Sequence, residues 1–363
     1  MAEGNILDIA TVALDDDNSA LVIIDQTKLP NKTEILHLTS QEEIWQAIYL
    51  LQVRGAPAIG VAAAYGIYLA AKELQDKAPT DFVTEFKKAK EYLNSSRPTA
   101  VNLSWALNRM EKIVDISSAD VNFDVKLTVK KLKEEAAAIQ DEDIWTCQKL
   151  GEYGLTLVKP GDALLTHCNA GQLATSRYGT ATAPMYLGHS KGYNFKIYCD
   201  ETRPLLQGAR LTSYELSAAG MDVTVQCDNM AASLMKAGKI DAIFTGCDRV
   251  AANGDAANKI GTLPLAIAAK RFGVPFYICA PTSTIDMNCQ TGADIKIEQR
   301  KPEEVTEMWY KERMAPANVN VYNPAFDVTD NDLITAIVTE FGIARAPYKE
   351  SLAEIMRKKQ NII

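Results

Sequence analysis

The sequence predicts an α/β fold: a Rossmann-like parallel sheet domain at 159–363, preceded by a mostly helical N-terminal domain at 1–158 with a small β hairpin. Three observations carry this. Apolar, β-prone runs recur after Pro160, at Ala163–Thr166, Phe195–Cys199, Asp222–Gln226, Ala242–Thr245, Val274–Cys279 and Asp294–Ile297. Intervening segments such as Leu205–Ala219 and Ala256–Phe272 carry helical periodicity, and strands alternating with helices imply a parallel, doubly wound sheet. Before Lys159-Pro160-Gly161-Asp162, by contrast, the pattern is largely helical. At 363 residues the chain exceeds a comfortable single core, so two domains are expected.

From the N-terminus, Ala20–Asp25 and Glu34–Leu38 are short β-prone runs around Lys28-Leu29-Pro30-Asn31-Lys32, which reads as a hairpin. Ser40-Gln41-Glu42-Glu43 resembles a capping box, and Pro57 suits a helix start. The uncharged stretch Gly55–Ala71 is too short and too rich in glycine and alanine for a membrane span, so a buried helix is expected. Asp120–Leu157 reads as two long amphipathic segments.

Composition narrows the function. A hydrophobic fraction of 47% and a charged fraction of 23% are ordinary for a soluble globular protein. A net charge of −8 with no basic tract argues against nucleic acid as the main partner. The opening Met1-Ala2-Glu3-Gly4-Asn5 lacks the basic and apolar regions of a secretory signal. Seven cysteines without a C-x-x-C pair suit a reducing cytoplasm. Three dispersed histidines give no metal motif, and zinc shared by His167, Cys168 and Cys247 is a minor alternative. No G-x-G-x-x-G follows a strand and no P-loop occurs, so the ligand is expected not to be a dinucleotide.

Two stretches carry the chemistry: Thr166-His167-Cys168-Asn169-Ala170-Gly171 and Gly246-Cys247-Asp248-Arg249-Val250-Ala251-Ala252-Asn253-Gly254-Asp255. Each follows a β-prone run, at the junction where open α/β sheets bind ligands. Cys168 is either a small buried hydrophobe or a reactive thiol near a helix start. Asp248 is either a carboxylate paired with Arg249 or, if enclosed by apolar groups, a general acid. Arg54, Gly55 and Ala56 open the helix that contains Pro57, which is either an anion site or a tightly packed helix start. Gly254–Gly261 reads as another helix start, with Asn258 and Lys259 in its first turn and Asp255 as its cap. A lysine there is disfavoured unless an anion sits beside it. Arg97-Pro98-Thr99 reads as a third helix start, and Gln207 is by itself an ordinary helical glutamine. These features together point to an enzyme acting on a sugar phosphate or another phosphate ligand.

These motifs, with Val53–Gly60, Ser96–Leu103 and Asp200–Gly208, closely resemble the methylthioribose-1-phosphate isomerase family, which is shared with the regulatory subunits of translation initiation factor 2B. The resemblance runs from Asp25-Gln26 to Asn323–Asp327. It implies an aldose–ketose isomerase of methionine salvage that converts 5-methylthioribose 1-phosphate to 5-methylthioribulose 1-phosphate. By motif match, Cys168 and Asp248 take the catalytic positions; Arg54, Gly55, Ala56, Arg97, Gln207, Asn258 and Lys259 take the substrate-binding positions. The resemblance also implies a cytoplasmic homodimer with no metal and no organic cofactor, whose partner is a small sugar phosphate. Two alternatives stand beside it: a ribose 1,5-bisphosphate isomerase, and a non-catalytic regulatory subunit of the initiation-factor type, relatives that generally lack the paired cysteine and aspartate.

Overall fold

The structure is a computed structural model that describes residues 9–98 and 100–361. The opening residues 1–5 and Thr99, both used above, lie outside them. The chain forms two compact units, 1–145 with 172–179, and 146–171 with 180–363.

The first unit begins with an antiparallel sheet of β1 (Val12–Asp15), β2 (Ala20–Ile24) and β3 (Ile35–Leu38), in that order. The expected hairpin is β2–β3, with Ile24 opposite Ile35 and Leu21 opposite Leu38. Strand β1 was not expected, because the polar Asp15–Asn18 run masks it. That run is its turn: Asn18 N–H donates to Asp15 Oδ1 at 3.2 Å. Helices α1 (Gln41–Tyr49), α2 (Ala56–Glu73), α3 (Pro79–Asn94), α4 (Val101–Ser118) and α5 (Val125–Leu155) follow, the last with its residues from 146 onward counted in the second unit. Ser40 and Glu43 close the expected capping box at α1, a device that contributes on the order of 1 kcal/mol. Every residue of α2 from Ala58 to Ala71 is buried, as expected. Among the described residues no helix is long and apolar enough to cross a membrane. Helix α5 is one helix where two were expected. No glycine or proline interrupts Val125–Leu150, and Asp124 accepts from Leu127 N–H at its start.

The second unit runs β4 (Ala163–His167), α6 (Ala183–Ser190), β5 (Lys196–Asp200), α7 (Ser213–Ala218), β6 (Asp222–Gln226), α8 (Ala231–Lys236) and β7 (Ala242–Thr245). It continues through β8 (Arg249–Ala251), β9 (Ala256–Lys259), α9 (Thr262–Phe272), β10 (Phe276–Cys279), β11 (Ile285–Asp286) and α10 (Glu303–Thr306). The last elements are β12 (Phe326–Thr329), β13 (Ala336–Thr339), β14 (Gly342–Ala344) and α11 (Tyr348–Gln360). The main sheet has seven strands in the order β14-β13-β10-β7-β4-β5-β6. All neighbours in it are parallel except β13 and β14. In order of appearance its parallel strands run 3-2-1-4-5-6, the doubly wound arrangement of dinucleotide-binding folds.

Strand periodicity explains the packing. Leu165, Ile243, Ile278 and Ile337 enter one core with α8, α9 and α11. Their neighbours Leu164, Phe244, Tyr277 and Val338 enter another with α6 and α7. Alternate side chains thus bury both faces, which is why these strands read as continuous apolar runs.

Three expectations fail here. Asp294–Ile297 is not a strand; a tight turn at Gly292–Asp294 is closed by Thr291, and the edge of the sheet is completed by β13 and β14 instead. Leu205–Ala219 is helical only from 208, beginning as a turn of π-helix over Gly208–Thr212. Ala256–Lys259 is the strand β9, in a small sheet of order β11-β8-β9-β12. Its antiparallel pairing with both β8 and β12 overrides the helical reading.

Candidate active site

Strands β4 and β7 are where the strand order reverses, and doubly wound sheets bind ligands beyond the carboxyl ends of such a pair. His167 ends β4 opposite Thr245, which ends β7. Cys168 follows the first strand directly, and Asp248 follows the second after Gly246 and Cys247. Both expected catalytic residues therefore leave adjoining strand tips of the second unit.

Cys168 is 9% exposed and holds a left-handed backbone, φ +65°. A residue with a Cβ pays on the order of 1–2 kcal/mol there. Hydroxyls grip both sides of it. Its N–H donates to Thr202 Oγ1 at 2.8 Å, and its carbonyl accepts from Thr212 Oγ1 at 2.6 Å. Thr202 donates onward to the Asp200 carbonyl at 3.0 Å, while Thr212 Oγ1 accepts from Asn169 Nδ2 at 3.1 Å.

His167 is fully buried, with Nδ1 3.1 Å from Asp200 Oδ2 and Nε2 2.9 Å from the Ile260 carbonyl. A carbonyl only accepts, so Nε2 carries a proton. Burial alone pushes the imidazole down; the hydrogen bond and charge of Asp200, with the charge of Asp228, outweigh it, and His167 titrates above its ordinary value. Atoms of His167, Asp200 and Asp228 lie within 4.8 Å of one another, a metal-like grouping that differs from the His167, Cys168 and Cys247 alternative. These donors are engaged within the protein: Asp228 accepts from Thr202 and Arg203 N–H at 2.7 Å each, and Asp200 accepts from Gln226 Nε2 at 2.8 Å.

Asp248 departs from expectation in one respect. It is exposed, so the chain itself does not enclose it in apolar groups, and Arg249 pairs with Asp286 at 3.5 Å. Its N–H donates to the Ala257 carbonyl at 2.9 Å, which ties the turn to β9. The rival thiols are poor bases. Burial pushes Cys247 up to about 12, and pushes Cys199 and Cys279 higher still.

Gln207 is buried directly before the π-helical turn, and its Oε1 has no hydrogen-bond partner among the described residues. Asn258 and Lys259 lie on β9 rather than in a helical first turn. Asn258 Nδ2 donates to Thr262 Oγ1 at 3.0 Å, and Lys259 Nζ stands 4.6 Å from the Phe326 ring centroid. Helix α9 starts later, at Thr262, and Asp327 accepts from the N–H groups of Gly261 and Leu263 there. The cap is therefore Asp327. Asp255 instead closes the β8–β9 turn and accepts from Asn253, Gly292 and Asn331.

In the first unit, Arg54, Gly55 and Ala56 open α2 as expected, and no side chain caps this end. Gly55 has φ +89°, and a Cβ there would lie 2.5 Å from backbone atoms of Ala174, so only glycine fits. Arg97 precedes α4, which starts at Val101 rather than at Pro98.

Residues 52–346 match the model of the initiation factor 2 subunit family. The chain belongs to that family. A family relative, the methylthioribose-1-phosphate isomerase of Symbiobacterium thermophilum, is 61% identical over 97% of this chain and 97% of its own. The 5-deoxyribose 1-phosphate isomerase of Petrotoga mobilis is 55% identical over 96% of this chain and 99% of its own. The crystal structure of 5-methylthioribose 1-phosphate isomerase from Pyrococcus horikoshii OT3 superposes with a TM-score of 0.90 at 43% identity, over 96% of each chain.

Sequence reasoning missed Thr202 and Thr212 as partners of Cys168, and Asp200 as the partner of His167. Thr202 was visible only inside the Asp200–Gly208 motif, and nothing local marked Thr212.

Proposed function

We propose that this chain is an aldose–ketose isomerase converting 5-methylthioribose 1-phosphate to 5-methylthioribulose 1-phosphate in methionine salvage, working as a cytoplasmic homodimer. The observation that carries the reading is the placement of a thiol and a carboxyl residue on the adjoining tips of β4 and β7. Full-length relatives named for this reaction support it.

The chemistry follows from the substrate. Phosphate esterifies the anomeric oxygen, so the ring cannot open by losing that proton; it opens when the ring oxygen is protonated. Asp248 gives that proton, the C1–O bond breaks, and the positive charge at C1 is shared with the ester oxygen. Cys168 thiolate then takes the C2 proton and leaves an enol phosphate. The Cys168 thiol, exchanging with solvent, then gives a proton to C1, and the C2 hydroxyl returns its proton to Asp248 as the ketone forms. Positioned acid–base groups of this kind contribute about 10²–10⁴-fold. Because Asp248 is exposed in the chain, bound substrate supplies the exclusion of water that strengthens proton donation. Arg54, Gly55, Ala56, Arg97, Gln207, Asn258 and Lys259 bind substrate. The uncapped start of α2 offers N–H groups to phosphate, and the unpartnered Gln207 Oε1 can accept from a sugar hydroxyl.

A second reading is favoured by the relatives named for 5-deoxyribose 1-phosphate. That sugar shares the anomeric phosphate and an uncharged 5-position. Steady-state kinetics of the purified chain on 5-methylthioribose 1-phosphate, 5-deoxyribose 1-phosphate and ribose 1,5-bisphosphate tests both. The highest kcat/KM is expected for the methylthio sugar. Preference for the bisphosphate overturns the substrate assignment, and no turnover of any of them favours a non-catalytic regulatory subunit.

A further inference from the structure

We propose that Thr202 and Thr212 are positioning residues for Cys168, fixing the direction of its side chain by clamping its peptide groups in the left-handed conformation. This rests on the isomerase reading for its kinetic consequence, but not for its geometry.

A cysteine at φ +65° holds that backbone only when its surroundings over-determine it. Here the surroundings are two hydroxyls from separate segments: Thr202 just past β5 and Thr212 at the end of the π-helical turn. Both residues are fully shut off from solvent. Each hydroxyl makes one bond to Cys168 and one elsewhere, so its orientation is fixed. Thr202 Oγ1 accepts from Cys168 N–H while donating to the Asp200 carbonyl. Thr212 Oγ1 donates to the Cys168 carbonyl while accepting from Asn169 Nδ2.

The clamp is itself braced. Thr202 is a second non-glycine residue with φ +65°, and its N–H is held by Asp228 Oδ1 at 2.7 Å. A π-helical turn inserts an extra residue into a helix and is frequent at functional sites. Here the turn ends on Thr212. Left-handed cysteine, left-handed threonine and π-turn thus converge on the two peptide groups of a single residue.

The test is a set of Thr202 and Thr212 variants, each checked for folding by circular dichroism and thermal melting. Valine keeps the shape and removes the hydroxyl; serine keeps the hydroxyl. Where a valine variant does not fold, the alanine variant at that position is read in its place. Two readouts are taken: kcat and KM on 5-methylthioribose 1-phosphate, and the rate of iodoacetamide alkylation at Cys168, located by mass spectrometry.

A misplaced reactive group can cost about 10²-fold, so Thr202→Val and Thr212→Val are expected to lower kcat by at least about tenfold with KM little changed. Thr202→Ser and Thr212→Ser restore most of it. The alkylation rate shifts by about threefold or more in the valine variants, the scale of one lost hydrogen bond, and returns with serine. Folded valine variants with wild-type kcat and wild-type alkylation overturn the proposal, as does a loss that serine does not rescue. Absence of turnover in the wild-type chain overturns the isomerase reading instead, and the alkylation rates then decide the clamp by themselves.

Discussion

His167 Nδ1 lies 3.1 Å from Asp200 Oδ2, with both side chains closed to solvent immediately behind Cys168. The relationship joins the ends of two neighbouring strands, β4 and β5, and leaves a titratable pair in the protein interior.

That pair makes stability depend on pH in a stated direction. The charge and hydrogen bond of Asp200 raise the His167 value in the folded chain, so the fold holds a proton that the unfolded chain releases. The stabilisation is complete below histidine's ordinary value of about 6.5 and is lost as pH rises through the raised folded value. The unfolding free-energy gap between wild type and His167→Gln is therefore larger at about pH 6 than at about pH 9. Chemical denaturation at the two pH values checks this, and a gap that widens with pH contradicts it.

Gly261 presses on the same imidazole. It has φ +103°, and a Cβ there would lie 2.8 Å from His167 Cε1. Gly238 also has positive φ, +65°, but a Cβ there would meet open space. Gly238→Ala pays only conformational strain, about 1 kcal/mol. Gly261→Ala pays strain and collision with a buried ring, about 3 kcal/mol or more. Urea unfolding of the two variants measures the difference. Equal costs would show that the ring moves aside freely.

Proton transfer through Cys168 predicts exchange with solvent. Turnover in heavy water is expected to leave deuterium at C1 of the ketose, read by NMR. A direct hydride shift between C2 and C1 leaves none.

Much of this was legible in the sequence because it depends on local signals. Strands β4, β7 and β10 read as short apolar runs buried on both faces, and Gly55 marked the start of α2. The failures share a cause. Ala256-Ala257-Asn258-Lys259 has small and polar residues that suit a helix, but β8 and β12 claim its backbone. Asp294–Ile297 has β-prone residues and no partner strand in the main sheet. At the site, the strand tips located Cys168 and Asp248. The threonines that hold Cys168 come from Thr202 and Thr212, far along the chain, and only the folded sheet brings them to it. The exposure of Asp248 is a property of the folded surface, which no run of residues around it records.

Cys168 and Asp248 are proposed to act as one acid–base unit on a sugar 1-phosphate. The most direct measurement is kcat on 5-methylthioribose 1-phosphate for Cys168→Ser, Asp248→Asn and the double variant, each shown to be folded. Residues acting as a unit are strongly non-additive. A loss of at least about 10²-fold is expected in each single variant, with the double variant little worse than the more damaged single one. A folded single variant that turns over at the wild-type rate would contradict it.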